Sequence, residues 1–226
     1  MDNELNNNTD LNNNQNSFTM IKIIILLAAF QIIRILAKQI LFIFIEENEF
    51  NEILISIIVM ILLGLYIIYK AKKENISLNI FSYMKTKESK AYYILFTSLI
   101  LFLIITSPSF LYNISIYTFI PLIYSTVIVP IYDELIFRSY LWNILNKEYE
   151  NEFKVYLVTT ILFSLWHIGY ADSIIMKSGF NNIAFIMFIK CSLMISYGLF
   201  IGFLRYKIKN SYSSMLIHSF INIFGR

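Results

Sequence analysis

The chain has 226 residues, of which 58% are hydrophobic and 15% are charged, whereas average globular proteins carry about 25% charged residues. So few polar groups cannot cover a water-facing domain of this length. A net charge of +3 without a basic recognition face excludes a nucleic-acid-binding module. The single cysteine, Cys191, leaves no internal disulfide. The remaining class is an all-α, polytopic transmembrane helix bundle.

The predicted elements begin with an Asn-rich segment. Eight of the first 16 residues are asparagine, so residues 1–20 are expected to be a disordered tail and not a signal peptide. Residues 21–106 are expected to form N-terminal transmembrane helices, and residues 107–226 a second group of helices. Because about 20 residues of apolar helix cross a bilayer core, seven to eight membrane segments are predicted, over residues 23–45, 53–69, 92–106, 111–145, 155–168, 183–204 and 213–224.

The number of segments depends on residues 111–145, which Pro121 and Pro130 interrupt. Three loops rich in Lys and Arg all lie in the cytoplasm if this segment crosses the membrane once. A single broken crossing is therefore preferred to two short ones, and it places the N-terminus in the cytoplasm.

For a few residues outside this segment, the sequence predicts a structural role only. Arg34 and Lys38 lie in the first span and are expected to pack on protein or to extend to the membrane surface. Asp172 is expected only to end a helix on the outer side. Gly198 and Gly202 form a G-x-x-x-G pattern, which is typical of closely packed transmembrane helices.

Polar groups at membrane depth are costly and indicate a functional site. The candidates are Asp133, Glu134, Arg138, His167, His218 and Asn222. Counting helical rise from the nearest basic loop, the acid, the first histidine and the carboxamide reach about 20 Å and the last histidine about 14 Å. We therefore expect them to converge at one level of the membrane.

These residue types suit two kinds of hydrolysis. A carboxylate beside a neutral imidazole can take a proton from water, and a second imidazole and an amide can stabilise the oxyanion that forms on a peptide carbonyl. Alternatively, Glu134, His167 and His218 could hold zinc with an open position for water, although the compact H-E-x-x-H arrangement is absent. No other cofactor is expected.

Three short motifs resemble those of a known family. The sequences DELIFR (133–138), FSLWH (163–167) and HSFIN (218–222) resemble the motifs E-E-x-x-x-R, F-x-x-x-H and H-x-x-x-N of the CPBP intramembrane proteases, also called the CAAX protease or Abi family. The resemblance covers residues 111–224, so residues 107–226 are interpreted as the catalytic core of this family.

The resemblance implies an intramembrane endopeptidase that acts on membrane-associated or hydrophobic peptides, so the expected partners are a peptide or membrane-protein substrate and the lipid bilayer. It implies that Asp133 activates water with His167 and that His218 and Asn222 bind the oxyanion. The second acid and the arginine, Glu134 and Arg138, would organise the site.

The chain departs from the family at two positions. The first acid of the family is usually Glu, and Asp133 is shorter by about 1.5 Å; Ser139 replaces a usual glycine. The alternative is therefore a catalytically impaired membrane scaffold or regulator. A transporter or channel is disfavoured because the chain has no internal repeat and no second set of polar residues.

The host and the biological role are inferred from composition and from the family. The abundance of Ile, Asn and Lys suggests an AT-rich bacterial genome, so a bacterial plasma membrane is expected. Bacterial members of the family are linked to bacteriocin immunity, peptide maturation and signalling.

Overall fold

The computed structural model of the chain describes residues 2–81, 87–107, 111 and 115–224, with side chains from Ser17 onward except at positions 87, 88 and 178. The described residues form helices joined by short turns and contain no strand, which confirms the predicted all-α membrane bundle. In chain order the helices are α1 (Asp2–Leu41), α2 (Glu49–Lys73), α3 (Lys87–Ile105), α4 (Ile116–Ile123), α5 (Val129–Glu134), α6 (Trp142–Glu148), α7 (Glu152–Trp166), α8 (Ala171–Ser178), α9 (Ile183–Ile208) and α10 (Ser211–Phe224). π-Helical turns over Tyr124–Ile128 and Leu135–Leu141 join α4 to α5 and α5 to α6, and a 3₁₀ turn over His167–Tyr170 joins α7 to α8.

Five helical stretches are long and apolar enough to cross a membrane: Ser17–Leu41, Glu49–Lys73, Ile116–Glu148, Glu152–Lys177 and Ile183–Ile208. The shorter apolar helix Ser89–Ile105 and α10 bring the count close to the predicted seven. The segment that was expected to cross once or twice is one unbroken helical run from Ile116 to Glu148, in line with the preferred single crossing. Residues 112–114 of that predicted segment lie outside the described residues, as does Lys85, which belongs to the basic loop between the second and third predicted spans.

The first helix is longer than the predicted first span. Its backbone is helical from Asp2 onward. Since no side chain before Ser17 is described, disorder of that segment stays a prediction. The division of the chain at residues 106 and 107 likewise stays a prediction.

The two glycines of the G-x-x-x-G pattern allow close approach of α9 and α7. A Cβ atom on Gly202 would lie 2.9 Å from ring atoms of Tyr156, and one on Gly198 would lie 3.2 Å from Phe163 and Thr160. Real Cβ atoms essentially never lie under 3.0 Å from such a neighbour, and 3.2 Å is tighter than most Cβ contacts, so the absence of both side chains favours this close approach of α9 to α7. The predicted close packing is confirmed.

Arg34 and Lys38, the two basic residues of the predicted first span, pack on protein. Arg34 is 2% exposed and bonds to Asp172, with 2.9 Å from Nη2 to Oδ1. Lys38 pairs with Glu52, with 2.9 Å from Nζ to Oε1, and also with Asp172. The expectation that Asp172 only ends a helix is therefore wrong: this residue lies in the first turn of α8 and binds two cations from α1.

Candidate active site

The acidic motif lies on α5, between two π-helical turns. Val129 donates its N–H to the carbonyl of Tyr124, five residues earlier. In the same register the donor for the Ser125 carbonyl would be residue 130, which is proline and has no N–H. The side chain of Asn222 donates to this carbonyl instead, with 2.7 Å from Nδ2 to O. Pro130 and the wide turn thus create a binding point for the last residue of the third motif.

The two adjacent acids face different surroundings. Asp133 and Glu134 are 1% and 0% exposed, and neighbouring residues of a helix project about 100° apart. Asp133 lines a cavity, and its Oδ1 has no hydrogen-bond partner among the described residues. Glu134 points away from that cavity. The acids are therefore separated into one group that faces the open space and one that is enclosed by protein.

Glu134 is held between a histidine and an arginine. His218 Nδ1 lies 2.9 Å from Glu134 Oε1, and since a carboxylate only accepts, the imidazole donates. Arg138 Nε lies 3.4 Å from Oε2 of the same carboxylate. A buried acid with two basic partners meets the requirement that charges in a low-dielectric interior be paired.

Arg138 is fixed further by the helices that surround it. Its Nη2 donates to the Gly198 carbonyl at 3.2 Å, and its guanidinium lies over the Phe163 ring with 4.3 Å to the centroid. The same guanidinium therefore connects α9 and α7 to the motif on α5. A Cβ at Gly198 would lie 3.5 Å from Nη2, in ordinary van der Waals contact, so Arg138 packs directly against this part of α9.

His167 begins the 3₁₀ turn at the end of α7. Its Nδ1 lies 2.8 Å from the carbonyl of Phe163, and its ring stands edge-on to the Phe163 ring with 4.7 Å between centroids. A carbonyl only accepts hydrogen bonds, so Nδ1 carries the proton. In the neutral imidazole, Nε2 therefore has a free lone pair.

One cavity of about 280 Å³ collects four of the six predicted residues, and its wall includes Asp133, His167, His218 and Asn222. The two that it does not include, Glu134 and Arg138, lie directly behind it, bonded to His218 and to the backbone of α9. The predicted convergence from three parts of the chain is thus present in the structure.

Further side chains line this cavity that the sequence analysis did not select: Tyr124, Tyr170, Lys190, Met194 and Tyr197. A signal for Lys190 was available, because it is a charged residue within an apolar segment of spanning length. Tyr197 had no such signal among many aromatic residues. Its hydroxyl lies 3.3 Å from Asn222 Oδ1, and its ring packs against His218 with 5.0 Å between centroids.

The residues proposed for zinc do not form a ligand set. Among the described residues no group of three His, Cys, Asp or Glu side chains could hold a metal ion. Glu134 Oε1 and His218 Nδ1 are occupied by the hydrogen bond between these two residues. His167 has its Nδ1 occupied by a backbone carbonyl, and only its Nε2 faces outward.

Comparison with known proteins gives one result over the same part of the chain. Residues 115–224 match the family model described as type II CAAX prenyl endopeptidase Rce1-like. The match covers all three motifs and confirms the resemblance drawn from them. No curated protein and no solved structure matches the chain.

Proposed function

Residues 115–224 of this chain match the CAAX protease family model, and on that premise we propose that the protein cleaves a peptide bond with a water molecule activated by Asp133 and His167. Membership supports intramembrane endopeptidase activity in general. The observation that carries the specific proposal is the single cavity onto which Asp133, His167, His218 and Asn222 open.

In the first step, water is deprotonated as it attacks. The water would donate one hydrogen bond to Asp133 and one to Nε2 of His167, the nitrogen with the free lone pair. As the water oxygen bonds to the carbonyl carbon, its proton passes to the Asp133 carboxylate. Both groups reach the cavity directly, so no covalent intermediate with the enzyme is needed.

The oxyanion that forms is stabilised by His218 and Asn222. His218 donates from Nδ1 to Glu134, so a second donation from Nε2 requires the imidazolium form, whose charge Glu134 balances. Asn222 uses one amide hydrogen on the Ser125 carbonyl and keeps another. Fixed donors directed at a developing negative charge are commonly the largest contribution to such catalysis.

When the intermediate collapses, the C–N bond breaks and the proton held by Asp133 passes to the leaving nitrogen. The second proton of the water stays on the new carboxylic acid, which ionises in solvent, and the other product is an amine, so Asp133 returns to its starting form. Arg138 and Glu134 do not line the cavity. They orient His218 and hold α5, α7 and α9 together.

The proposed substrate is a hydrophobic or membrane-associated peptide. The cavity is about 280 Å³, at the lower end of typical ligand pockets, so it suits a short stretch of peptide around one bond. Tyr124, Tyr170, Met194 and Tyr197 supply an apolar, aromatic wall. We place the protein in a bacterial plasma membrane, with bacteriocin immunity or peptide processing as its role.

The proposal is tested by cleavage of a fluorogenic prenylated CAAX peptide and of a bacterial hydrophobic precursor peptide by the full chain in lipid vesicles. Asp133→Asn and His167→Gln are expected to lower kcat by at least about a hundredfold, in the range seen for general-base groups. Glu150→Gln, an exposed acid in a loop, is the matched control and should retain activity. Equal rates for all four proteins would contradict the proposal.

A scaffold without activity remains the second candidate, favoured by the short side chain at Asp133. Asp133→Glu separates the two, because a shift on the order of 1 Å in a reacting group can change a rate about a hundredfold. An enzyme predicts equal or higher kcat for Asp133→Glu. If neither wild type nor Asp133→Glu cleaves a peptide that an active relative cleaves, the scaffold is correct.

A further inference from the structure

A polar cluster on α1 contacts the segment that carries His167. We infer that Gln31 and Arg34 are positioning residues for His167: they hold the 3₁₀ turn of this histidine through hydrogen bonds to its backbone. The catalytic consequence rests on the proposed function, whereas the positioning itself does not. Both residues lie outside residues 115–224, so this assigns part of the site to the N-terminal helices.

The two hydrogen bonds are made to carbonyl groups at a helix end. The last carbonyls of a helix have no donor within that helix, and α7 ends at Trp166. Gln31 Nε2 donates to the Trp166 carbonyl at 3.0 Å. Arg34 Nη2 donates to the Gly169 carbonyl, two residues beyond His167. Side chains from a distant part of the chain thus cap α7 and the turn that follows.

The two donors are themselves held in place. Arg34 Nε donates to Gln31 Oε1 at 2.9 Å, which fixes the orientation of the amide and directs its nitrogen to Trp166. The Arg34 guanidinium also lies over the ring of Tyr170, with 4.3 Å to the centroid. Tyr170 is the last residue of the turn and lines the cavity with His167. Arg34 therefore contacts both the backbone of the turn and the cavity wall.

Gly169 provides the space for this contact. A Cβ atom at this position would lie 2.2 Å from Cδ of Gln31, far inside van der Waals contact. Any side chain there would expel the amide of Gln31 from the turn. Gly169 and Gln31 therefore fit each other sterically, and this steric fit does not depend on the charged residues around them.

The cluster also makes bonds that anchor α1 to α2 and α8 and do not involve the turn. Arg34 bonds to Asp172 at 2.9 Å, and Lys38 bonds to Glu52 at 2.9 Å and to Ser173 at 3.0 Å. Lys38 and Glu52 have no hydrogen bond to residues 167–170 among the described contacts. They therefore offer a control that removes buried charge from the same cluster.

The position of this turn decides where His167 lies. None of its four residues is fully buried, so packing alone holds it weakly. The ring is tied through Nδ1 to the Phe163 carbonyl of α7, whereas the backbone that follows is tied to α1. Loss of the hydrogen bonds from α1 lets the backbone of His167 move relative to Asp133. A displacement of about 1 Å can lower the rate about a hundredfold.

The test uses the fact that the chain has two histidines. The full chain with ¹³C,¹⁵N-labelled histidine gives one set of imidazole signals for His167 and one for His218, which serves as an internal reference. The variants are Gln31→Met, which keeps the side-chain length, and Gly169→Ala. The control is the double variant Lys38→Met/Glu52→Gln. Thermal unfolding in detergent identifies any variant that has lost its fold.

Gln31→Met and Gly169→Ala are expected to shift the His167 signals, to leave those of His218 in place and to lower kcat about ten- to a hundredfold with KM unchanged. The control should leave both sets of signals in place. Unchanged His167 signals in both variants, or equal shifts in the control, would overturn the inference. If the wild type cleaves no peptide, the proposed function fails, and the spectra still decide the positioning role.

Discussion

Glu134 shows what a single enclosed carboxylate does for its surroundings. It balances Arg138 and His218 at once, and all three are buried. Removal of one partner from a buried ion pair costs about 3–5 kcal/mol because the other charge is left uncompensated. The residue is therefore expected to be required for stability as well as for the orientation of His218.

Glu134→Gln is expected to lower the free energy of unfolding by about 3–5 kcal/mol, because the amide keeps a hydrogen-bond acceptor for His218 but removes the negative charge. Thermal or denaturant unfolding in detergent measures this. Glu150→Gln changes an exposed acid in the same way and should unfold like the wild type. A Glu134→Gln protein as stable as the wild type would mean that the pairing contributes nothing.

At the residue scale, the sequence identified the six candidate residues of the site but did not indicate which way the side chains of the two acids face. The six candidates were found because few ionisable residues lie at membrane depth. That Asp133 would face the cavity and Glu134 the protein could not be derived, since adjacent residues look alike until the partners of each are known. Lys190 was overlooked, although the same criterion applies to it.

At the scale of elements, the π-helical turn before α5 determines where α10 binds. A π turn is less stable than an α turn and is commonly found at functional sites. Here the wide turn and Pro130 together leave the Ser125 carbonyl to Asn222. The prolines were recognised in the sequence as interruptions. The register of the turns was not, because it depends on packing against α2 and α10.

Pro130→Ala supplies an N–H to the carbonyl of Ser125 and so competes with Asn222. We expect kcat to fall about tenfold or more, as one oriented donor of the oxyanion site is weakened, while the free energy of unfolding stays the same or rises. Pro121→Ala, in α4 of the same helical run, is the matched control. An unchanged kcat in Pro130→Ala would show that Asn222 does not depend on this carbonyl.

The contact of α7 with α9 gives a second prediction for elements. Gly202→Ala introduces a methyl group 2.9 Å from the Tyr156 ring, and overpacking of this kind costs about 1–3 kcal/mol. Tyr156→Leu in the same chain should recover most of that loss, since it removes the ring. Denaturation of both single variants and the double variant measures the coupling; additive effects would argue against direct contact.

At the scale of the whole molecule, the positions of the side chains that could bind a metal predict whether peptide cleavage depends on one. Glu134 and His218 bond to each other, and no described group of three suitable side chains could bind an ion. We expect peptide cleavage to persist when the purified protein is treated with 1,10-phenanthroline. Loss of activity that added zinc restores would favour the metal-dependent mechanism instead.

The helical class and the order of the spans were predictable from hydropathy, because a bilayer demands long apolar helices. The contacts between the two halves of the chain were not. Gln31 and Arg34 bond to groups 135 residues later, and the sequence near each residue carries no sign of that distant partner. Arg34 and Lys38 could only be assigned to protein or surface, and Asp172 was misread for the same reason.

The cluster of Arg34, Lys38, Glu52 and Asp172 also sets conditions on the biogenesis of the protein. A lone cation at the centre of an inserting helix costs about 2.5–3.5 kcal/mol. Lys38 meets Glu52 as soon as the next span enters the bilayer, but Arg34, which has Gln31 as a neutral partner in its own helix, meets its carboxylate partner Asp172 only after 138 more residues have been synthesised. We therefore expect the first hairpin to carry one cation without a carboxylate partner until α8 has been synthesised, so that α8 completes the packing of α1 and the site together.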